Sequence, residues 1–121
     1  MSAFGEMKRD TETLIHLCDR IRLILDGDPR ITEKRMFGGL TFLLNGHILV
    51  GAKNDGRILV KVGKDADNEA ALARPGTSQM MHGGKAMRGF VWVEPDVIED
   101  DDDLRDWIAT SERHAANQPP A

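Results

Sequence analysis

The chain holds one cysteine, Cys18, among its 121 residues. One thiol excludes an intramolecular disulfide and any paired-cysteine zinc motif, leaves only a link between chains, and fits a reducing compartment, so a cytoplasmic location is expected. Its four histidines, His16, His47, His82 and His114, are scattered and form no His-x-x-x-His pair. No serine occupies a Gly-x-Ser-x-Gly elbow. No run approaches the roughly 20 apolar residues of a membrane span, and the start, "MSAFGEMKRDTET", has no apolar core followed by a cleavage site. Membrane insertion and export are therefore not expected. An excess of positive charge is also missing. Sixteen Lys and Arg against twenty Asp and Glu give a net charge of −4, which opposes non-specific attraction to phosphates and disfavours nucleic acid as a partner. With so many acids, paired carboxylates carry no signal for acid–base catalysis.

What is present suits one compact domain, since 121 residues with 40% apolar and 30% charged side chains can bury roughly two-thirds of the unfolded surface. Residues 1–116 are expected to form it, with "NQPPA" at 117–121 a disordered tail. In "DTETLIHLCDRIRLILDGDP", Leu14, Leu17, Cys18, Ile21, Ile24 and Leu25 recur at helical spacing. Asp10 is expected to cap this helix, with Glu12 near its positive end, and Gly27 and Pro29 to stop it. Cys18 belongs to the apolar stripe, so it reads as a buried small hydrophobe and not as a nucleophile, which would need exposure and an activating base.

The stretch "EKRMFGGLTFLLNGHILVGAK", Glu33 to Lys53, carries two turn signals. Asn45-Gly46 is the dipeptide best able to take positive φ at both centres of a tight hairpin. Two-residue closure predicts Leu44 opposite His47, Leu43 opposite Ile48, Phe42 opposite Leu49 and Thr41 opposite Val50, with Phe42, Leu44, His47 and Leu49 on one side. Asn54-Asp55-Gly56 then leads into "RILVKV", giving a three-strand antiparallel meander. Gly38-Gly39 runs into a strand, whereas a phosphate loop must open a helix, so the pair is read as a bulge, bend or close backbone approach.

"DADNEAALA", Asp65 to Ala73, forms a short helix ended by Pro75-Gly76. After a loop containing Gly83-Gly84, "MRGFVWVEP" is a strand with Phe90 and Trp92 on one side and Val91 and Val93 on the other. "EDDDDLRDWIATSERHAA" is a helix with acids at its start, Leu104, Trp107, Ile108 and Ser111 on its apolar face, and Arg113 and His114 near its close. The order predicts an α+β domain, helices covering one face of an antiparallel sheet.

"KRMFGGLTFLLNGHILVGAK", "LVKVG", "ALARPG", "GKAMRGFVWVEP" and "LRDWI" together resemble the N-terminal domain of the TfoX/Sxy family over nearly the whole chain. The most specific elements are Arg35, Met36, Phe37, Gly38 and Gly39 followed by Asn45 and Gly46, with Lys61, Lys85, Met87, Arg88 and Gly89 in order. The resemblance implies a two-layer α+β fold similar to secretion-chaperone-like domains. It also implies kinship with bacterial regulators of natural competence, which work with the transcription machinery. Those regulators carry a second, helical C-terminal domain, so this chain is expected to be a stand-alone form. No catalytic residues carry over with the resemblance.

Lys34, Arg35, Lys61, Lys85 and Arg88 lie in the motifs that carry the resemblance, and can converge on a carboxylate, a phosphate or an acidic surface. The competing reading makes them solvated strand ends, with Lys61 and Arg88 paired to helix acids. Phe37, Phe90, Trp92 and Trp107 invite a base-stacking reading, but alternation with apolar neighbours favours core packing. The residues thus favour a non-catalytic regulatory or protein-interaction module, with no cofactor or metal, a protein partner and a possible homodimer through an uncovered sheet edge. An anion or nucleic-acid binder using the basic set is the first alternative, and an enzyme without a visible motif the second.

Overall fold

The computed structural model describes the backbone of residues 3–119 and the side chains of residues 10–119. The tail residues 120 and 121 lie outside the described residues. Helix α1 (Ala3–Leu25) leads into strands β1 (Ile31–Met36), β2 (Gly39–Leu44), β3 (His47–Lys53) and β4 (Ile58–Lys61). Helix α2 (Ala66–Leu72), strands β5 (Thr77–His82) and β6 (Lys85–Val93), a 3₁₀ turn (Pro95–Ile98) and helix α3 (Asp101–Ala116) follow. All neighbouring strands are antiparallel, in the order β1-β2-β3-β4-β6-β5. The fold is α+β, with one sheet and a helical layer on one side of it.

The helical layer is held by burial. Leu17, Cys18 and Ile21 of α1, Ala71 of α2, and Leu104, Trp107 and Ile108 of α3 share one apolar cluster with Phe42, Leu49, Val60, Val91 and Val93 of the sheet. Each Leu, Ile, Val or Phe side chain among them contributes about 1.5–3 kcal/mol when fully buried. The stripe on α1 and the face on α3 are those the helical spacing predicts, Ser111 included. Asp100 caps α3, its carboxylate accepting from the Asp102 N–H at 2.8 Å. The start of α1 differs from expectation. The helix runs through Asp10 to Ala3, so Asp10 is an interior residue and not a cap; Glu6, Met7, Lys8 and Arg9 are good helix formers and extend the spiral toward the N-terminus.

The meander has four strands rather than three. Ile31–Met36 pairs with β2, from Ile31 opposite Leu44 to Met36 opposite Gly39. Its four central residues, Thr32 to Arg35, are exposed, so this edge strand lacks the apolar alternation that marks a half-buried one, and its charges blunt the open edge. Thr77–His82, read as part of a loop, is the opposite edge strand and is equally polar.

The Asn45-Gly46 turn forms as expected, with φ of 50° and 84°. Leu44 faces His47 and Leu43 faces Ile48, but Phe42 faces Val50 and Thr41 faces Gly51. The predicted partners Leu49 and Val50 are displaced by a bulge at Leu49, which lets both residues enter the core at 0% exposure. The Ser111 hydroxyl of α3 donates to the Leu49 carbonyl at 2.8 Å, at the point where the ladder is interrupted.

A second irregularity sits in β6, where pairing with β5 shifts between Gln79 and Met81. Buried Asn68 of α2 holds it. Its amide donates to the Gln79 side-chain oxygen at 2.8 Å, and its oxygen accepts from the Gly89 N–H at 2.8 Å. Gln79 donates in turn to the carbonyls of Met87 and Phe90, both at 2.9 Å. Each buried polar group in this network is therefore partnered.

Candidate functional site

The double glycine is a turn followed by a close approach. Phe37 and Gly38 occupy the two central turn positions between β1 and β2 with φ of 55° and 75°, the paired positive values of a tight hairpin. Gly39 begins β2 so close to β3 that a Cβ there would lie 1.8 Å from the Ala52 carbonyl oxygen. No helix N-terminus follows, so the segment has none of the geometry of an anion cradle.

Lys34 and Arg35 are consecutive on a strand and therefore face opposite sides of the sheet. Lys34 stands opposite Thr41 on the helix-free side, and Arg35 opposite Leu40, which packs toward the core. Lys61 is on the helix-free side, its Nζ 5.6 Å from the Phe90 ring centre. Lys85 is exposed at the β5–β6 turn, opposite His82. Arg88, in the irregular part of β6, donates to Glu69 of α2 at 3.1 Å. The five basic residues are distributed over both faces and the β5–β6 end; Lys34 and Lys61 share the helix-free side, and Arg35, Lys85 and Arg88 do not join them.

On the helical side a groove of about 780 Å³ runs between α1 and the β1–β2 hairpin. Leu14, Ile15 and Cys18 form its helix wall, and Met36, Phe37 and Leu40 its hairpin wall. Ile15 and Phe37 are 55% and 37% exposed, which is unusual for apolar side chains facing each other across a concavity. Arg35 lines the same groove and has no acid partner among the described residues. Arg22 and Glu33 tie the two walls together through hydrogen bonds of 3.0 and 2.7 Å. The Arg22 guanidinium lowers the Glu33 carboxyl pKa, and its own is raised in turn. Burial raises the pKa of the Cys18 thiol, which keeps it protonated and unreactive.

The helix-free side carries one registered row: Lys34, Thr41, Gly51, Leu59, Trp92 and Ser78, contributed by β1, β2, β3, β4, β6 and β5. Trp107 belongs to the core at 1% exposure, but Trp92 and Phe90 do not. Both are half-buried on this second face, and Phe37 is exposed on its turn, which corrects the core-packing expectation for these three. Alternation correctly puts Phe90 and Trp92 together, but Val91 and Val93 take the helix-covered side. Arg57 lies 4.4 Å and Lys53 5.7 Å from the Trp92 ring centre, within cation–π range. Sequence reasoning missed Lys53 and Arg57. Their signal was the register running from the Asn45-Gly46 turn to the Asn54-Asp55-Gly56 turn.

A smaller cleft of about 380 Å³ opens between α2 and α3, lined by Asp67, Arg74, Thr110, Arg113 and His114. Arg74 is occupied there, paired with Asp106 at 2.6 Å and stacked 3.4 Å from the Trp107 ring centre. Among the described residues no group of three or more His, Cys, Asp or Glu is placed to hold a metal ion, and no helix is long and apolar enough to cross a membrane.

The model of the TfoX N-terminal domain family matches residues 24–115. The chain belongs to the TfoX N-terminal domain family. No curated protein and no solved structure matches it. The family match takes in the whole sheet, α2 and nearly all of α3, and it starts at the end of α1. The helix wall of the groove in this TfoX N-terminal domain is thus built by residues ahead of the matched segment.

Proposed function

We propose that this TfoX N-terminal domain is a non-catalytic protein-interaction module with a regulatory role, and that its docking surface is the groove between α1 and the β1–β2 hairpin. The observation that carries the reading is Phe37 and Ile15 exposed across an apolar groove, beside an arginine without an acid partner among the described residues. A partner segment that fits presents a large apolar side chain to the groove and a carboxylate to Arg35, whose planar fork suits that group. A cytoplasmic setting belongs to the proposal, supported by a lone cysteine kept as a buried thiol.

The test is capture from nuclease-treated lysate of the source cell by tagged wild-type protein, by an Ile15→Glu/Phe37→Asn variant, and by Lys53→Glu. Asparagine tolerates the positive φ at position 37, so the turn is retained. Proteins held by wild type and Lys53→Glu, and lost by the groove variant at unchanged melting temperature, are the expected result. Capture unchanged by the groove variant would overturn the reading.

A further inference from the structure

We propose that the helix-free face of the sheet binds a single-stranded nucleic-acid segment, with Phe90 and Trp92 as its stacking pair and the surrounding cations as its phosphate contacts. Phe90 and Trp92 are two residues apart on β6, so their rings stand on one face about 6.7 Å apart along the strand. Each has a cation over it: Lys61 over Phe90, and Arg57 with Lys53 over Trp92. Lys34 extends the row toward the β1 edge. Lys34, Lys53 and Lys61 have no acid partner among the described residues.

Charge complementarity selects the occupant. The net charge of −4 is unevenly spread, because Asp100, Asp101, Asp102 and Asp103 are exposed at the start of α3 in the helical layer. On the helix-free side, Asp55 pairs with Arg57 at 2.9 Å, and Glu94 directly follows Val93, the β6 partner of Ile58. These two acids bound one end of the face and leave the span from Phe90 to Lys34 cationic. Lys53, Arg57 and Lys61 now cover ring faces of Trp92 and Phe90; swung from the rings onto phosphates, these long side chains free the ring faces for bases, the combination used by single-strand binders. A second copy of the chain would bring its acidic α3 start, which supplies charge but nothing for Phe90 and Trp92 to stack on. Met36 and Phe37 border both this surface and the α1 groove, but Lys61, Phe90 and Trp92 do not line the groove, so substitutions at those three positions test this proposal apart from the docking one.

The experiment is fluorescence anisotropy with a labelled, mixed-sequence single-stranded 12-mer, at 50 and 200 mM salt. Saturable binding at 50 mM is expected. If three or four phosphates are engaged, it weakens about 20- to 50-fold at 200 mM. Lys53→Glu/Lys61→Glu should abolish it, and Lys34→Glu, on an exposed edge position, should weaken it with a shallower salt dependence. Trp92→Leu should weaken it about tenfold with the salt dependence unchanged, because stacking is lost and no phosphate contact is. Circular dichroism and melting curves establish that each variant is folded. Absence of saturable binding at 50 mM salt would overturn the proposal. So would displacement of the oligonucleotide by a polyglutamate peptide at equal charge concentration together with wild-type affinity in Trp92→Leu, since the face would then be a docking site for an acidic protein segment.

Discussion

Replacing Gly39 with alanine should destabilise the domain far more than replacing Gly38, although the two glycines are adjacent. At position 39 the new methyl would meet the Ala52 carbonyl oxygen at 1.8 Å, its carbon at 2.8 Å and the Lys53 Cα at 3.0 Å, where ordinary contact begins at 3.4 Å. All three atoms are backbone, so relief requires β2 and β3 to part and strains the ladder between them. Overpacking of this kind costs about 1–3 kcal/mol and sometimes more, and each lost ladder bond adds about 1 kcal/mol. We expect about 3 kcal/mol or more. At position 38 the methyl meets only the Lys53 Nζ, at 3.0 Å, and that flexible side chain can move away. What is left is the positive φ of 75°, a cost of about 1–2 kcal/mol for an L-residue. For a chain of this size 1 kcal/mol corresponds to roughly 3–6 °C in Tm. Gly38→Ala should therefore melt a few degrees early, and Gly39→Ala ten degrees early or more. Urea titration followed by far-UV circular dichroism gives the same comparison at constant temperature. Equal stability of Gly39→Ala and wild type would refute the close-approach account. It would also revive a reading in which the pair serves a ligand.

Thr41 is 1% exposed, and its hydroxyl has no partner among the described residues; the space beside it admits no water. Thr41→Val should therefore raise stability, by about 1 kcal/mol in a urea titration, whereas a loss of that size would mean the hydroxyl is bonded. Because Arg22 lowers the Glu33 pKa in the folded protein, the pair contributes stability above the unfolded glutamate pKa, about 4.3, and that contribution is lost as pH falls through the lower folded value. Wild type should exceed Arg22→Gln by a few tenths to 1 kcal/mol at pH 6, a surface-pair value, and the gap should close toward pH 2; a gap constant with pH would exclude the pairing. Cys18, buried with a raised pKa, should react with iodoacetamide at pH 8 only at the rate of unfolding, so labelling at the rate of a free thiol would show that α1 does not pack as described.

The parts of the fold legible in the sequence were those specified by neighbours a few residues apart. Asn45-Gly46 fixes its own turn, and Leu104, Trp107, Ile108 and Ser111 declare the buried face of α3. What escaped was set by distant contacts or by edges. Ile31–Met36 is a strand because β2 pairs with it, and its exposed Thr32, Glu33, Lys34 and Arg35 show no alternation to read. The Leu49 bulge is compensated by Ser111, 62 residues away, which no local pattern announces. The same limits governed the candidate surfaces. Parity alone separates Lys34 from Arg35 once β1 is known to be a strand. Parity also groups Phe90 with Trp92, but which side the helices cover is decided by the packing of α1, α2 and α3 and not by β6. The groove needs α1 beside a hairpin whose first strand was not apparent.

The measurement that bears most directly on the docking groove is hydrogen exchange of the domain, alone and saturated with the protein partner captured from lysate. Docking in the groove predicts slowed exchange within residues 11–22 of α1 and 35–40 of the hairpin, with β4 and β6 unchanged. Slowing confined to β4 and β6, or to α2 and α3, with the groove segments exchanging as in the free domain, would contradict it.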